Sequence, residues 1–225
     1  MGVILALLFS FNLIAVEKRI KIAIIDTGIA GYQTEYLCEE GLRTMVADDG
    51  LDRRGHGTNI ASIIAQHLDF KKYCIISYNV YHKENIQDTR VAASVLDAIA
   101  AGAKYINMSF SGSDSSPVEK SAIRQAIGKG INVYVAAGND GKNLDVFCNV
   151  YPACYKFGVG QNFFYVVAAS DLKGSNTADF MLKVEGSKLG NPEMSGSSQA
   201  TANALQYSIT NKYFKRETKH GLSIY

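Results

Sequence analysis

Five short apolar runs recur along the chain: Arg19 to Ile25 (RIKIAII), Tyr73 to Val80 (YCIISYNV), Tyr105 to Ser109 (YINMS), Asn132 to Ala137 (NVYVAA) and Phe163 to Ala169 (FFYVVAA). Runs this short, rich in isoleucine and valine, suit strands buried on both faces. Between them lie segments of helical character. Thr58 to His67 sets apolar residues at Ile60, Ile63 and Ile64, the spacing of one helical face. Arg90 to Ala101 closes on Gly102, Pro117 to Lys129 closes on Gly130, and a last helix is expected from about Ser198 to Lys212. Strands and helices in this alternation predict an α/β fold of three layers, a mostly parallel central β-sheet with helices on both faces. Ligands of such sheets gather beyond the carboxyl ends of the strands, where Asp26, Ser109 and Asn139 fall.

A chain of 225 residues with 47% hydrophobic side chains can fill one substantial core. Its 23 basic and 21 acidic residues leave a net charge of +2 with no long basic run, so nucleic acid is not an expected partner. The apolar stretch Gly2 to Val16 stops at Glu17-Lys18-Arg19. It is shorter than the roughly 20 residues that a spanning helix needs but suits a secretory h-region. Residues 1–15 are therefore expected to be a signal peptide and 16–225 one domain, secreted or periplasmic, with no stable membrane span once the leader is cut. No Lys or Arg precedes the run and Leu13 is not small, so a buried helix, an uncleaved anchor or a misplaced start are the alternatives. Four cysteines, Cys38, Cys74, Cys148 and Cys154, fit an exported protein and permit three pairings, among which sequence alone does not choose. The short loop between Cys148 and Cys154 favours a local bridge, leaving Cys38 with Cys74. The spacing is not that of a zinc site.

Three segments could carry chemistry. Ile24-Ile25-Asp26-Thr27-Gly28 puts an acid at a strand end, where glycine lets the backbone turn. Gly55-His56-Gly57-Thr58 puts a histidine at a helix start, with glycines that leave room for another chain to approach. Ser195-Gly196-Ser197-Ser198-Gln199-Ala200 puts a serine at the mouth of the last helix, where backbone N–H groups point outwards. A serine hydroxyl attacks an amide only if an imidazole takes its proton and a carboxylate holds that imidazole in the right tautomer. Taken singly, the Gly-His-Gly-Thr segment reads as a turn capping a helix and the Gly-Ser-Ser segment as a flexible loop or N-cap.

Together these segments resemble the Asp, His and Ser motifs of the subtilisin-like serine peptidases, and the likeness extends from about Lys21 to Tyr207. The order Asp, His, Ser is that of subtilisin rather than of chymotrypsin or the α/β-hydrolases. The resemblance implies a serine endopeptidase with Ser198 as nucleophile, His56 as general base and Asp26 as its orienting carboxylate. Ala136-Ala137-Gly138-Asn139-Asp140-Gly141 is similar to the segment bearing the family's oxyanion-hole asparagine, which would make Asn139 the donor. Ile106 to Gly112 resembles the strand that pairs with an extended peptide or protein substrate. By that likeness Ser109, Phe110 and Ser111 bind substrate, Ala137 and Gly138 form the facing wall of the S1 pocket, and bulky Phe110 and Ser111 narrow access to it.

The chain also departs from the family pattern. Asn59 stands where a second histidine is common, Gln199 where methionine is usual and Ala202 where proline is usual; Gln199 is expected to set a polar group against the catalytic wall. Few residues separate the expected cleavage from the strand to Asp26, leaving no room for the family's propeptide. The protein then folds unaided, uses a separate folding or inhibitory partner, or has a longer natural start. No cofactor is expected. Asp48, Asp49 and Asp52 could belong to a calcium site or an acidic rim favouring basic substrates, but a solvated turn is the plainer reading. His67, His82 and His220 read as surface or structural residues. An aspartic peptidase would need a second Asp-Thr-Gly or a partner copy and leaves His56 and Ser198 without a role. The rival from another class is a catalytically silent relative that binds a peptide or protein in the same cleft.

Overall fold

The apolar runs become the strands of one sheet in a computed structural model that describes residues 18–44, 50–82, 85–86, 88–155, 157 and 162–210. In chain order come β1 (Ile20–Asp26), a 3₁₀ turn (Gly31–Tyr36), β2 (Leu37–Thr44), α1 (His56–Ala65) and β3 (Tyr73–Asn79). The hairpin β4 (Tyr81–His82) and β5 (Asn85–Ile86) follows, then α2 (Asp88–Ala100), β6 (Tyr105–Met108), α3 (Pro117–Gly128) and β7 (Asn132–Ala136). The series ends with β8 (Phe164–Ala169), β9 (Leu182–Val184) and α4 (Ser197–Ile209). The expected leader, Asp48, Asp49, His220 and the expected end of the last helix at Lys212 lie outside the described residues.

Seven strands form a single sheet in the order β2-β3-β1-β6-β7-β8-β9, every neighbouring pair parallel. The expected three-layer α/β architecture is thus the observed one. Successive side chains of a strand face opposite ways, and β1 divides accordingly. Ala23 and Ile25 join the core under α2 and α3, with Val91, Val95, Ile123 and Ala126. Ile22 and Ile24 join the core under α1 and α4, with Ile60, Ile64, Ala200 and Leu205. All four β1 residues are fully buried, which is why the run shows no polar alternation.

Helix starts follow local chemistry. At α3 the Ser116 side chain accepts from Glu119 N and Pro117 occupies the first turn, the arrangement that capping preferences favour. α4 is buried nearly all round, and its small Ala200, Ala202 and Ala204, all at 0% exposure, let it sit close against the sheet and α1. Two disulfides tie loops and edge to this frame. Cys38 on β2 bonds Cys74 on β3, and Cys148 bonds Cys154, the pairing that loop length favoured.

The connections reverse direction at β1. The path from β1 through β2 and α1 fills one side of it, and α2 carries the chain back to β6 on the other. The carboxyl end of β1 therefore opens on the crevice where an α/β sheet binds ligands.

Candidate active site

Asp26 is the last residue of β1 and only 1% exposed. Its Oδ1 accepts from Thr27 N at 2.7 Å and lies 2.8 Å from His56 Nδ1. Its Oδ2 is buried with no hydrogen-bond partner among the described residues. His56 opens α1, two residues before the expected start. Burial presses the imidazole towards its neutral form, but the charge and hydrogen bond of Asp26, with the charge of Asp52, outweigh it and hold its pKa above the ordinary 6.5. With Nδ1 facing a carboxylate, the proton of the neutral ring belongs on Nδ1 and Nε2 is left as the basic nitrogen.

The approach of these two segments explains the glycines. A Cβ on Gly57 would stand 2.1 Å from Gly28 O. The room at Gly57 is therefore taken by the chain's own Asp-Thr-Gly turn, rather than kept for another chain.

Asp52 overturns the reading of a solvated acidic turn. Its Oδ1 accepts from Thr27 Oγ1 at 2.8 Å, Arg54 N at 2.9 Å and Gly55 N at 2.8 Å. Its Oδ2 accepts from Thr58 N at 2.8 Å and Thr58 Oγ1 at 2.6 Å. Thr27 and Thr58 extend the network, Thr27 Oγ1 accepting from Gly57 N and Thr58 Oγ1 from Ala30 N. Gly55 precedes α1 without a capping side chain. Asp52 takes that role from three residues upstream and ties the helix to the turn after Asp26. An Asp shortly before a glycine-rich helix start was the available signal, hidden by its acidic neighbours.

Ser198, half-buried, is the second residue of α4. Its Oγ donates to Ser109 O at 2.8 Å, while Ser109 Oγ donates to Ser198 O at 3.0 Å and accepts from Asn107 Nδ2 at 2.9 Å. The Ser198 hydroxyl thus donates to Ser109 O rather than to His56.

Asn139 follows the carboxyl end of β7 and is exposed. Ser197 N donates to its Oδ1 at 2.8 Å, so the amide can offer an incoming oxygen only its Nδ2. Its turn is pinned by a residue that the sequence did not mark. Buried Asn176 donates from Nδ2 to Ala137 O at 2.9 Å and accepts at Oδ1 from Asp140 N and Lys142 N.

Of the expected substrate-binding residues, Ser109 faces Ser198, and Ser111 Oγ would stand 3.4 Å from a Cβ on Gly138. Ala137 is fully buried and Gly138 N donates to Ser197 Oγ at 3.1 Å. Phe110 is 9% exposed and packs into the core beneath α2 and α3. Gln199 is buried, its Nε2 donating to Asn59 Oδ1 at 2.8 Å while its Oε1 lies 3.1 Å from where a Cβ on Gly196 would stand. His67 is exposed. Among the described residues no group of three or more His, Cys, Asp or Glu could hold a metal ion.

The model of the Subtilase family of peptidases matches residues 17–218 of this chain. Subtilisin DY of Bacillus licheniformis is 30% identical over 148 residues, 61% of this chain and 53% of the relative. The minor extracellular protease Epr of Bacillus subtilis is 28% identical over 146 residues, 61% of this chain and 22% of the relative. The chain thus spans about half or less of the length of these curated relatives. Among solved structures, a cold adapted subtilisin-like serine proteinase superposes with a TM-score of 0.64 at 25% identity, covering 85% of this chain and 74% of its own. A lanthipeptide protease gives 0.69 at 19% identity, with 84% and 71% covered. The nisin leader peptidase NisP of Lactococcus lactis gives 0.68 at 20%, with 84% and 76% covered.

Proposed function

Because the chain belongs to the Subtilase family, we propose that it is a serine endopeptidase whose triad is Asp26, His56 and Ser198. The observation that carries this reading is the 2.8 Å contact of a buried strand-end carboxylate with His56 Nδ1 at the carboxyl end of β1, beside β6, just past whose end Ser109 O accepts from Ser198 Oγ.

In the reaction, Ser198 Oγ leaves Ser109 O by rotation about its Cα–Cβ bond and attacks the substrate carbonyl while His56 Nε2 takes its proton. Asp26 keeps Nδ1 protonated and stabilises the imidazolium. The carbonyl oxygen, now an anion, accepts from Asn139 Nδ2 and from the Ser198 N–H, whose helix N-terminus favours negative charge. Loss of one such donor in subtilisin, a relative, costs about 2.7–4 kcal/mol. The imidazolium returns its proton to the departing amine, and water repeats the sequence on the acyl-enzyme. Ser109, Phe110 and Ser111 offer their backbone to an extended peptide, with Ala137, Gly138 and Ser111 around the side chain preceding the scissile bond.

We place the protein outside the cytoplasm, where its two disulfides persist. Among the described residues no helix is long and apolar enough to cross a membrane. A separate folding or inhibitory partner stays as a further expectation of the family likeness.

A fluorophosphonate probe followed by mass spectrometry tests the assignment. Modification at Ser198, lost in His56→Ala, is the expected result. A second reading, a silent peptide- or protein-binding module, is favoured by the one observation that the Ser198 hydroxyl donates to Ser109 O. A folded chain that is not modified would establish it.

A further inference from the structure

Asn59 and Gln199, two positions where the chain departs from its family, meet across a sequence separation of 140. Gln199 Nε2 donates to Asn59 Oδ1 at 2.8 Å. The two side chains are 0% and 2% exposed. The other end of the Asn59 amide holds the loop that leads into α4, Nδ2 donating to Leu189 O at 2.7 Å and Pro192 O at 2.6 Å. The loop passes so close that a Cβ on Gly190 would stand 2.3 Å from Asn59 Nδ2. Asn59 sits one turn after His56 in α1, and Gln199 directly follows Ser198 in α4.

We propose that the Asn59–Gln199 bridge is a positioning device that sets the approach of His56 to Ser198; the proposal rests on the reading of Ser198 as nucleophile. An apolar contact between α1 and α4 would tolerate sliding. Buried amides do not, because a shifted partner leaves a polar atom unsatisfied away from water. The bridge therefore selects one separation of the two helices. That separation matters because the Ser198 hydroxyl must leave Ser109 O and find Nε2 within hydrogen-bond reach. Neither amide touches the reacting atoms. Both act through the elements that carry His56 and Ser198.

The test uses the full chain with Asn59→Leu, Gln199→Met and the double variant, with kcat and KM on a peptide substrate and the rate of fluorophosphonate modification at Ser198. Each single substitution should lower kcat and the modification rate roughly tenfold or more, as small misplacements in active sites do, with KM changed by less than about twofold. The double variant should be no slower than the slower single, because the bridge is already gone. Gln199→Glu, nearly the same in shape, sets a carboxylate against Asn59 Oδ1 and should show the same loss; it serves if Gln199→Met does not fold. Unchanged rates in the folded single variants, or losses that multiply in the double, would overturn the proposal. A wild-type chain that neither cleaves nor is modified overturns the peptidase reading itself, a separate failure visible before any variant is made.

Discussion

Gly57 packs against Gly28 so closely that a Cβ added to it would fall 2.1 Å from the Gly28 carbonyl oxygen. Gly57→Ala must push α1 away from the turn after Asp26, stretching the Asp26–His56 contact. We expect a loss of about 1–3 kcal/mol in stability, the usual cost of overpacking, and a fall in Ser198 modification of roughly 100-fold. Thermal denaturation and modification rate, measured on the same sample, check both.

The rate should rise with pH as His56 loses its proton, since a general base must be neutral to accept one. Asp26 and Asp52 raise the His56 pKa, so the midpoint of that rise should lie above 6.5. Asp26→Asn should lower the midpoint and reduce kcat by roughly 10⁴-fold, the loss known for a triad left with the wrong tautomer. A pH–rate profile in which Asp26→Asn keeps both midpoint and rate would remove Asp26 from the mechanism.

Asp52→Ala should destabilise the chain by roughly 1.5–3 kcal/mol, the range for hydrogen bonds to a charged group. The substitution releases Thr27, Arg54, Gly55 and Thr58 together. The start of α1 carries His56, so protection of the amides of Gly55 and Thr58 from hydrogen exchange should fall before that of the strands. Equal protection in wild type and variant would show that the carboxylate does not hold the loop.

Glu119 supplies a pH effect away from the site. Burial pushes its carboxyl up to about 7, with the charge of Asp88 adding to the rise and the Tyr155 hydrogen bond opposing it. Between 4.5 and about 7 the folded chain then holds a proton that the unfolded chain has lost, so stability falls as pH rises through this window. The geometry agrees. Tyr155 Oη has one proton and two acceptors in reach, Ser116 O at 3.0 Å and Glu119 Oε2 at 2.8 Å. Both bonds are made only when Glu119 brings a proton of its own. Glu119→Gln should flatten the decline, which is on the order of 2–3 kcal/mol across the window; urea midpoints at the two ends of it provide the measurement.

Much of the frame was legible because buried parallel strands must be apolar throughout. Ile22, Ile24 and Ile76 announce themselves, and so does the helical spacing of Ile60, Ile63 and Ile64. β2, reading LCEEGLRT, did not, since an edge strand needs no apolar run to be held by its neighbour. Asp26, His56 and Ser198, the proposed triad, stand in short motifs whose chemistry would demand those residue types, and the structure sets Asp26 and His56 2.8 Å apart. What surrounds them was not. Asp52 looked like one of several solvated acids until the fold set Thr27 and Thr58 on either side of it, and Asn176 has no local pattern at all. The direction of the Phe110 side chain, which packs into the core, is not legible from its residue type.

The placement of Ser198 on α4, the last described element, bears on when during synthesis the chain can act. Ribosomes release β1 and α1 before α4, so Asp26 and His56 emerge ahead of Ser198, the proposed nucleophile. α4 must then thread its small-residue faces between α1 and the sheet, a contact between distant parts of the chain that forms late. On the proposed triad, a chain that ends before α4 would lack its nucleophile. Peptidase activity would then report that synthesis and folding have both run through α4.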